Sequence, residues 1–166
     1  MNKKQCVLVS GGAGYIGSHT AVELVGAGFD VVIADNLSNS DMSGVEGARR
    51  ITGVEIPFVD VDCCDKEAFA EVFRKYDFDS VIHFAAYKAV GESVENPMKY
   101  YRNNLSSFMN VVDLMREFGR SNIVFSSSAT VYGEADELPV TEQSPRKPAT
   151  SSYGNTKQMC EDILRD

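Results

Sequence analysis

Short, nearly continuous runs of apolar residues alternate along the chain with longer segments in which apolar and polar residues mix. Five of the apolar runs have the length and the Val, Ile and Phe content of strands buried on both faces of a sheet. These runs are QCVLVS, FDVVIAD, IPFVDV, DSVIHFAA and NIVFSSS. The longer segments, such as KEAFAEVFRKY, space their apolar residues as amphipathic helices do. This alternation predicts an α/β fold in which a doubly wound parallel sheet is covered by helices on both faces.

Two polar stretches interrupt this pattern and are predicted to be loops. NLSNSDMSGVEG follows the second strand, and YGEADELPVTEQSPRKPATSS follows the fifth. Long loops beyond strand ends are where α/β proteins place their functional residues. The chain ends in CEDILRD, where a helical pattern continues without a capping Gly or Asn. We therefore expect residues 1–166 to form one domain that is truncated before a substrate-binding part.

The composition limits the kinds of partner. The chain has 166 residues, of which 43% are hydrophobic, and its formal net charge is -8. A basic surface for nucleic acid is therefore not expected. No apolar run approaches the roughly 20 residues of a membrane span, and MNKKQCVLVSGG lacks the apolar core of a signal peptide. We expect a cytoplasmic protein without a membrane partner.

The cysteines and histidines predict no metal site. The four cysteines have no Cys-x-x-Cys spacing. His19 falls in a helical segment and His83 falls at a strand end, and no second ligand stands at a metal-binding spacing from either. Ordinary thiols and packed histidines are expected.

The segment VLVSGGAGYIGSH places Gly11, Gly14 and Gly17 directly after the first strand and at the start of a helix. Glycines there let the backbone turn tightly and approach a pyrophosphate, and the helix N-terminus presents amides to the anion. Such a pattern alone also occurs in ordinary turns. However, the second strand ends in Asp35, about 20 residues further on, where a carboxylate can bind the adenosine ribose. Together these features predict a Rossmann-like dinucleotide site, and Asp35 followed by Asn36 rather than arginine favours NAD over NADP.

A second carboxylate, Asp62, ends the third strand in FVDVDCCD. It is predicted to lie at the same edge of the sheet, where it can accept a hydrogen bond from an adenine amino group. It can also cap the helix that follows. The adenine contact is favoured by the position of Asp62, and the capping role stays open.

The segment SSYGNTKQ places Tyr153 and Lys157 four residues apart on one face of the last helix. A phenol acts as a base near pH 7 only where its phenolate is favoured by roughly 4 kcal/mol. One cation about 6 Å away supplies roughly 3 kcal/mol at an effective dielectric near 20, and a second cation can complete the effect. The same spacing also arises by chance, as a neutral phenol beside an ammonium, so its meaning depends on its surroundings.

Those surroundings include FSSSATVYG, a serine segment after the fifth strand. The serines could simply terminate that strand. Together with the glycine spacing and the Tyr-x-x-x-Lys pair, however, they resemble the extended short-chain dehydrogenase/reductase family. The segments GGAGYIGSHT, DNLSNS, VIHFAAYKAVGESV and YYRNN are similar to those of its UDP-glucose 4-epimerase branch, and the resemblance runs over essentially all 166 residues.

The resemblance implies three catalytic residues. Tyr153 is the acid/base, Lys157 favours the phenolate and holds the nicotinamide ribose, and Ser128 hydrogen-bonds to the 4-oxygen of the sugar. Tyr153 and Ser128 are thus implied to bind the substrate, while Tyr153 and Lys157 also contact the cofactor. The other implied NAD-binding residues are Gly11, Gly14, Tyr15, Ile16, Gly17, Asp35, Asn36, Leu37, Asn39, Ser40, Asp62, Cys63, Phe84, Ala85, Ala86, Lys88, Asn103 and Ser126. Tyr87 departs from the leucine that is common at its position in the family.

Nucleotide-sugar dehydratases of this family carry Asp-Glu just before the Val-Tyr-Gly that ends the serine segment, because removing water needs an acid and a base. Ala129 and Thr130 stand there instead, which disfavours dehydration. The resemblance therefore implies NAD-dependent epimerisation at C4 of a UDP-hexose through a transient 4-keto sugar, as in galactose metabolism, by a homodimer built on helices. Two alternatives stay open: another nucleotide-sugar epimerase or reductase, and an NAD-binding module that is inactive by itself.

Overall fold

The structure, a computed structural model, describes residues 4–166. Within them, five parallel strands form one sheet in the order β3-β2-β1-β4-β5. The strands are β1 (Cys6–Ser10), β2 (Asp30–Asp35), β3 (Phe58–Asp60), β4 (Ser80–His83) and β5 (Asn122–Phe125). All five coincide with the apolar runs, so the prediction of a parallel sheet is confirmed.

The helices connect the strands as the sequence pattern requires. They are α1 (Tyr15–Gly26), α2 (Ser43–Thr52), α3 (Lys66–Lys75), α4 (Val90–Glu95), α5 (Pro97–Tyr100), α6 (Ser106–Glu117) and α7 (Ser152–Arg165). A π-helical turn, Tyr101–Leu105, separates α5 from α6, and a 3₁₀ turn, Ala129–Tyr132, follows β5 in the chain. Among residues 4–166, the longest and most apolar helices are still insufficient to span a lipid bilayer.

The described chain divides into two compact units. The first unit contains the residues up to Ala85 together with Ser107–Ser126, and it includes the whole sheet. The second unit contains Ala86–Ser106 and Ser127–Asp166. The assignment of residues 1–166 to a single NAD-binding domain stays a prediction.

The first unit has an apolar core on each face of its sheet. Side chains of successive strand residues point to opposite faces. Leu8, Val32 and Val81 accordingly pack against α3 and α6, whereas Val7 and Ile33 pack against α1 and α2. This arrangement confirms the predicted doubly wound, Rossmann-like fold.

One of the predicted loops is partly helical. The helix α2 begins at Ser43, inside the stretch NLSNSDMSGVEG. Two glycines lower the helix propensity of that stretch, but Val45 and Ala48 are buried against the sheet. Gly44 allows a close approach, since a Cβ on it would lie 2.3 Å from the carbonyl oxygen of Ala13. The loop prediction is therefore wrong from Ser43 onward, because packing overrides local propensity.

The second unit is organised around α7, which contacts α4, α5, the π-helical turn and the 3₁₀ turn. Ser151 caps its N-terminus by accepting a hydrogen bond from the amide of Gly154 at 3.1 Å. Residues 133–151 contain no helix or strand, as the sequence predicts. Arg146 fixes this long loop to α7 by donating to both carboxylate oxygens of Asp162, at 2.7 and 2.6 Å.

Candidate active site

The glycine loop between β1 and α1 is tightly packed in the first unit. Gly11 has a left-handed backbone conformation (φ 73°), and a Cβ on it would lie 2.5 Å from the amide nitrogen of Ala85. A Cβ on Gly17 would lie 2.4 Å from the carbonyl oxygen of Gly11. At Gly14 the nearest atom of the described chain would be 3.4 Å away, an ordinary contact. Packing thus accounts for Gly11 and Gly17, whereas Gly14 leaves room beside the backbone for a ligand.

The N-terminus of α1 lies beside that room. Gly14 is its N-cap, and no side chain of residues 4–166 caps this helix end. In contrast, Asp65 caps α3 and Ser151 caps α7. Tyr15 and Ile16, in the first turn of α1, are 78% and 55% exposed. This helix end can therefore present its amides, and the positive end of its dipole, to an anion.

Asp35, at the end of β2, holds the neighbouring loops together. Its Oδ2 accepts a hydrogen bond from the amide of Ala13 at 3.0 Å. Its Oδ1 accepts from the amide of Leu37 at 2.9 Å and from the hydroxyl of Ser40 at 3.1 Å. The bond from the Leu37 amide holds Leu37 in a left-handed conformation (φ 54°) that is rare for leucine. A carboxylate has about four lone-pair positions, so Asp35 retains capacity for one ribose hydroxyl.

Asp62 does not cap the helix that follows it. Asp65 has that role and accepts a hydrogen bond from the amide of Ala68 at 3.0 Å. Asp62 is exposed, and its Oδ1 accepts from the amide of Cys64 at 2.8 Å. The capping alternative is therefore wrong, and the contact of Asp62 with adenine stays a prediction.

The side chain of Cys63 is buried, so this residue can face a ligand only through its backbone. Its side chain is 5% exposed and packs in the core between the sheet and helices α3 and α6. Burial also raises the pKa of its thiol above the usual range. The Cys63 amide donates to no backbone carbonyl of residues 4–166. A ligand at this position would meet that amide rather than the sulfur.

Two other cysteines, Cys64 and Cys160, also have raised thiol pKa values. No disulfide joins the four cysteines, all of which lie in the described residues. Burial raises the pKa of the Cys64 thiol to about 11, and it does the same for Cys160. These raised pKa values agree with the interpretation of ordinary thiols.

The two histidines have structural contacts. The Nδ1 atom of His83 lies 2.7 Å from the hydroxyl of Ser10, and the His83 ring packs against Phe108. The Nδ1–H of His19 donates to the carbonyl of Tyr15 at 2.7 Å. Within residues 4–166, no cluster of three or more His, Cys, Asp and Glu side chains could hold a metal ion.

Most of the predicted NAD-binding residues follow the carboxyl ends of the strands in the first unit. The amides of Phe84 and Ala85 both donate to the carbonyl of Ser10, at 2.8 and 3.1 Å, and the amide of Ser126 donates to the carbonyl of His83. Because the strands are parallel, their carboxyl ends form one edge of the sheet, which we call the carboxyl edge. The predicted residues in strand ends, loops or helix starts at this edge are Gly11, Gly14, Tyr15, Ile16, Gly17, Asp35, Asn36, Leu37, Asn39, Ser40, Asp62, Cys63, Phe84, Ala85 and Ser126.

In the second unit, the first two turns of α7 carry Tyr153 and Lys157. The Nζ atom of Lys157 lies 5.9 Å from the centroid of the Tyr153 ring, as expected for two residues four positions apart. Lys157 is only 4% exposed, and burial lowers its pKa to about 8. Tyr153 is half-buried, and its hydroxyl forms no hydrogen bond within residues 4–166. The structure thus places a buried ammonium beside a phenol with an uncommitted hydroxyl.

Ser128 is the N-cap of the 3₁₀ turn in the second unit. Its Oγ accepts hydrogen bonds from the amide and the hydroxyl of Thr130, at 3.3 and 3.0 Å, which leaves its own O–H available as a donor. The neighbouring Ser127 donates to the carboxylate of Glu161 on α7. The strand β5 ends at Phe125, directly before these serines.

Asn104 and Ser93 support the second unit from positions that sequence reasoning missed. Asn104 is 2% exposed; its Oδ1 accepts from the amide of Tyr87, and its Nδ2 donates to the Tyr87 carbonyl and to the hydroxyl of Thr156. The Ser93 hydroxyl accepts from the amide of Tyr153 at 3.2 Å. In a helical pattern, polar residues such as these are indistinguishable from surface positions, so no signal beyond the segment YYRNN pointed to Asn104.

Three other predicted cofactor residues also belong to the second unit. Ala86 and Lys88 flank Tyr87, whose backbone is held by Asn104, and Lys88 is exposed. Asn103 is half-buried in the π-helical turn and donates to the Asn104 Oδ1 atom at 3.0 Å. Their assignment to the same cofactor as the carboxyl edge stays a prediction.

Tyr87 is accommodated by neighbours suited to an aromatic ring. Its ring centroid lies 5.9 Å from that of Tyr100, and the ammonium of Lys99 lies 4.6 Å from the Tyr87 centroid. Glu92 accepts hydrogen bonds from both Lys99 and the Tyr100 hydroxyl, at 2.5 and 2.7 Å. The departure from leucine is therefore matched by an aromatic and cationic environment.

An open cleft of about 510 Å³ lies in the second unit. Tyr101, Asn155 and residues 148–152 contribute to its lining, but none of the three predicted catalytic residues does. Asn155 donates to the Tyr101 hydroxyl at 2.8 Å, so two polar groups of the cleft lining already bond to each other. The predicted catalytic residues therefore do not open into this cleft.

Solved structures closely resemble this chain. One is the UDP-glucose 4-epimerase from Bifidobacterium longum in complex with NAD+ and UDP, with a TM-score of 0.95 and 46% identity over 98% of this chain and 48% of that chain. Another is the epimerase from Stenotrophomonas maltophila with bound NAD and formylated UDP-arabinopyranose, with a TM-score of 0.93, 46% identity and the same coverage. These likenesses agree with the Rossmann-like fold.

Curated relatives show the same resemblance in sequence. The UDP-glucose 4-epimerase of Bacillus subtilis is 51% identical over 160 residues, which are 96% of this chain and 47% of the relative. That of Dictyostelium discoideum is 49% identical over 160 residues, or 96% of this chain and 46% of the relative. The chain thus spans about half the length of these relatives, and the predicted resemblance to UDP-glucose 4-epimerases is confirmed.

A family model places the chain more broadly. The model described as GDP-mannose 4,6 dehydratase matches residues 8–166. Because this match covers nearly the whole sequence, the chain belongs to the GDP-mannose 4,6 dehydratase family.

Proposed function

We propose that this chain carries the NAD-binding and catalytic residues of a UDP-hexose 4-epimerase. The observation that carries the proposal is the pairing of Tyr153 with Lys157, whose ammonium is 5.9 Å from the phenol ring and almost completely buried. Burying an ammonium is unfavourable by itself, and ionisable groups with strongly shifted pKa values cluster at functional sites. The 51% identity to a UDP-glucose 4-epimerase supports epimerisation as the function of this pair.

The carboxyl edge fits NAD group by group. The room beside Gly14 and the uncapped end of α1 suit a pyrophosphate. The remaining acceptor capacity of Asp35 suits a ribose hydroxyl, and its charge would repel the 2′-phosphate of NADP. The Asp62 carboxylate and the amide of Cys63 are an adjacent acceptor and donor, which match the amino group and N1 of adenine.

The roles of the second unit follow from the chemistry of its side chains. Bound NAD would supply reversible hydride acceptance. Tyr153 takes the proton of the sugar 4-hydroxyl and returns it, while the ammonium of Lys157 favours the phenolate and holds the nicotinamide ribose. The free O–H of Ser128 donates to the 4-oxygen, which stabilises that oxygen as it becomes the carbonyl of a 4-keto sugar.

Dehydration is not supported, although the family is described by a dehydratase. The two positions where dehydratases need an acid and a base hold Ala129 and Thr130, which lie in the 3₁₀ turn. The Thr130 hydroxyl already donates to Ser128 at 3.0 Å. Neither side chain can exchange a proton near neutral pH, so epimerisation is the reaction that the residues support.

We also propose a cytoplasmic homodimer that takes a UDP-sugar as its substrate. Apolar side chains exposed on the second unit, including Met98 at 54% and Met159 at 39%, support a dimer surface built on α5 and α7. One alternative function has an observation in its favour. Since the chain spans 47% of its Bacillus subtilis relative, it is also consistent with an NAD-binding module that does not turn over by itself.

The test compares the chain with Tyr153→Phe and with Tyr76→Phe, a control at a half-buried tyrosine of the first unit. Retained NAD is measured by mass spectrometry of the denatured supernatant, and conversion of UDP-galactose to UDP-glucose is measured with a coupled dehydrogenase. We expect Tyr153→Phe to lose at least about 100-fold in rate with NAD binding intact. The control should stay within about twofold, since it lies in the other unit.

Each outcome distinguishes between the hypotheses. Full activity of Tyr153→Phe would contradict its role as the acid/base. Binding of NAD without turnover by the unmodified chain would favour the inactive module. Release of a 4-keto-6-deoxy sugar would restore the dehydratase hypothesis.

A further inference from the structure

The loop after β3 is fixed to α6 by a single side chain. Asn110 uses its Nδ2 group to donate to the carbonyls of Cys63 and Cys64, at 2.9 and 3.0 Å. One amide group therefore holds two consecutive peptide units, 46 and 47 residues away in the sequence. Asn110 lies in the same compact unit as this loop, and it has no place among the predicted site residues.

The bonds inside the loop determine where its remaining polar groups point. The carbonyl of Asp62 accepts from the amide of Asp65 at 3.0 Å, so this carbonyl faces into the turn. In a planar trans peptide the C=O and N–H groups point in opposite directions. The Asp62 carbonyl and the Cys63 amide belong to the same peptide group, so the Cys63 amide points out of the turn. The exposed carboxylate belongs to the preceding residue, Asp62.

We propose that Asn110 is a positioning residue for adenine recognition. By holding the carbonyls of Cys63 and Cys64, it sets the outward amide of Cys63 beside the carboxylate of Asp62. The buried Cys63 side chain pins the same residue from the core. This inference rests on the proposed function, since it takes the adenine of NAD as the group that this donor and acceptor pair receives.

The pair also predicts which purines are accepted. Adenine offers a donor at its amino group and an acceptor at N1, which complement the carboxylate and the amide. Hypoxanthine reverses both, with an acceptor at its 6-oxygen and a donor at N1. A loop held in place should therefore discriminate between the two rings, because the reversed pattern leaves polar groups unpaired.

The experiment titrates the folded chain with NAD and with nicotinamide hypoxanthine dinucleotide. The unmodified chain is expected to prefer NAD by about tenfold or more. Asn110→Ala removes both donors, and Asn110→Asp keeps the shape while an ionised carboxylate cannot donate. In both variants the preference should fall to about twofold or less. Met109→Ala, at a neighbouring position of α6 that is 45% exposed, is the matched control and should keep the preference.

A merely structural role has a different signature. Equal weakening of both dinucleotides in the Asn110 variants, with the preference retained, would overturn the proposal. So would an unchanged preference in folded variants.

Hydrogen exchange provides a measurement that needs no ligand. The amides of Cys64 and Asp65, which bond to Asp62, should exchange at least about tenfold faster in the Asn110 variants, while those of Leu8 and Val9 in β1 should not change. If the unmodified chain binds neither dinucleotide, the proposed function fails, and the exchange rates alone decide whether Asn110 holds the loop. Unchanged exchange at Cys64 and Asp65 would then refute the positioning role.

Discussion

Replacing Lys157 with methionine should stabilise the fold near neutral pH while it removes the ammonium that the proposed chemistry requires. Lys157 is 4% exposed, and burial lowers its pKa from 10.5 to about 8. Methionine has a similar length, no branch and no charge, so it can fill the same space. The substitution therefore isolates the charge from the volume of the side chain.

The expected magnitude follows from this lowered pKa. A tenfold difference in proton affinity corresponds to about 1.4 kcal/mol, so keeping Lys157 protonated in the fold costs about 3 kcal/mol at pH 7. Between pH 8 and 10.5 the unfolded chain binds more protons at this residue than the folded chain does. The contribution of Lys157 to stability therefore improves as the pH rises through that window, and the cost falls to about 1.5 kcal/mol at pH 9.5.

The assay is urea unfolding of both proteins at pH 7 and at pH 9.5. The Met variant should be more stable at pH 7, and its advantage should shrink by about 2 kcal/mol at pH 9.5. Groups that titrate in both proteins cancel in this difference. Lys75→Met, at an exposed position of α3, is the control and should show the same small effect at both pH values. A Lys157→Met effect that differs by less than about 0.5 kcal/mol between the two pH values would refute the argument.

The glycine loop and the buried asparagine of the second unit give further predictions. Gly14→Ala should unfold at the temperature of the unmodified chain yet bind NAD about tenfold more weakly in a titration, because the methyl group enters the space assigned to the pyrophosphate. Gly11→Ala should instead lower the free energy of unfolding by more than about 2 kcal/mol, because its φ of 73° and its close packing exclude a side chain. Asn104→Ala should cost about 2–3 kcal/mol in urea unfolding, since it deprives the Tyr87 amide and carbonyl of their buried partner. Asn39→Ala, at an exposed position, should change this free energy by less than about 0.5 kcal/mol.

The parts of the fold that repeat a simple pattern were predictable. The strands β1 and β2 each contain four consecutive apolar residues, a pattern that only a strand covered on both faces needs. The glycine loop and Asp35 were predictable for a different reason. Their chemistry depends on backbone freedom and on charge at fixed distances along the chain, both of which the sequence displays directly.

The parts that depend on contacts between distant residues were not predictable. The start of α2 was missed because Gly44 looks unfavourable for a helix until its close approach to Ala13 is known. Asn104 and Asn110 were missed because each bonds to the backbone of a segment far away in the sequence. Such bonds leave no periodic trace, and an amide side chain on a helix resembles a solvated one until the fold closes around it.

The hydrogen bonds of Asp35 have a consequence for redesign. The same carboxylate that is proposed to select NAD also holds the amides of Ala13 and Leu37 and the hydroxyl of Ser40. An engineer who exchanged this aspartate to admit NADP would release the glycine loop and the strained Leu37 together. Coenzyme choice and loop conformation therefore depend on the same side chain. A change of coenzyme from NAD to NADP would need compensating substitutions in the same turn.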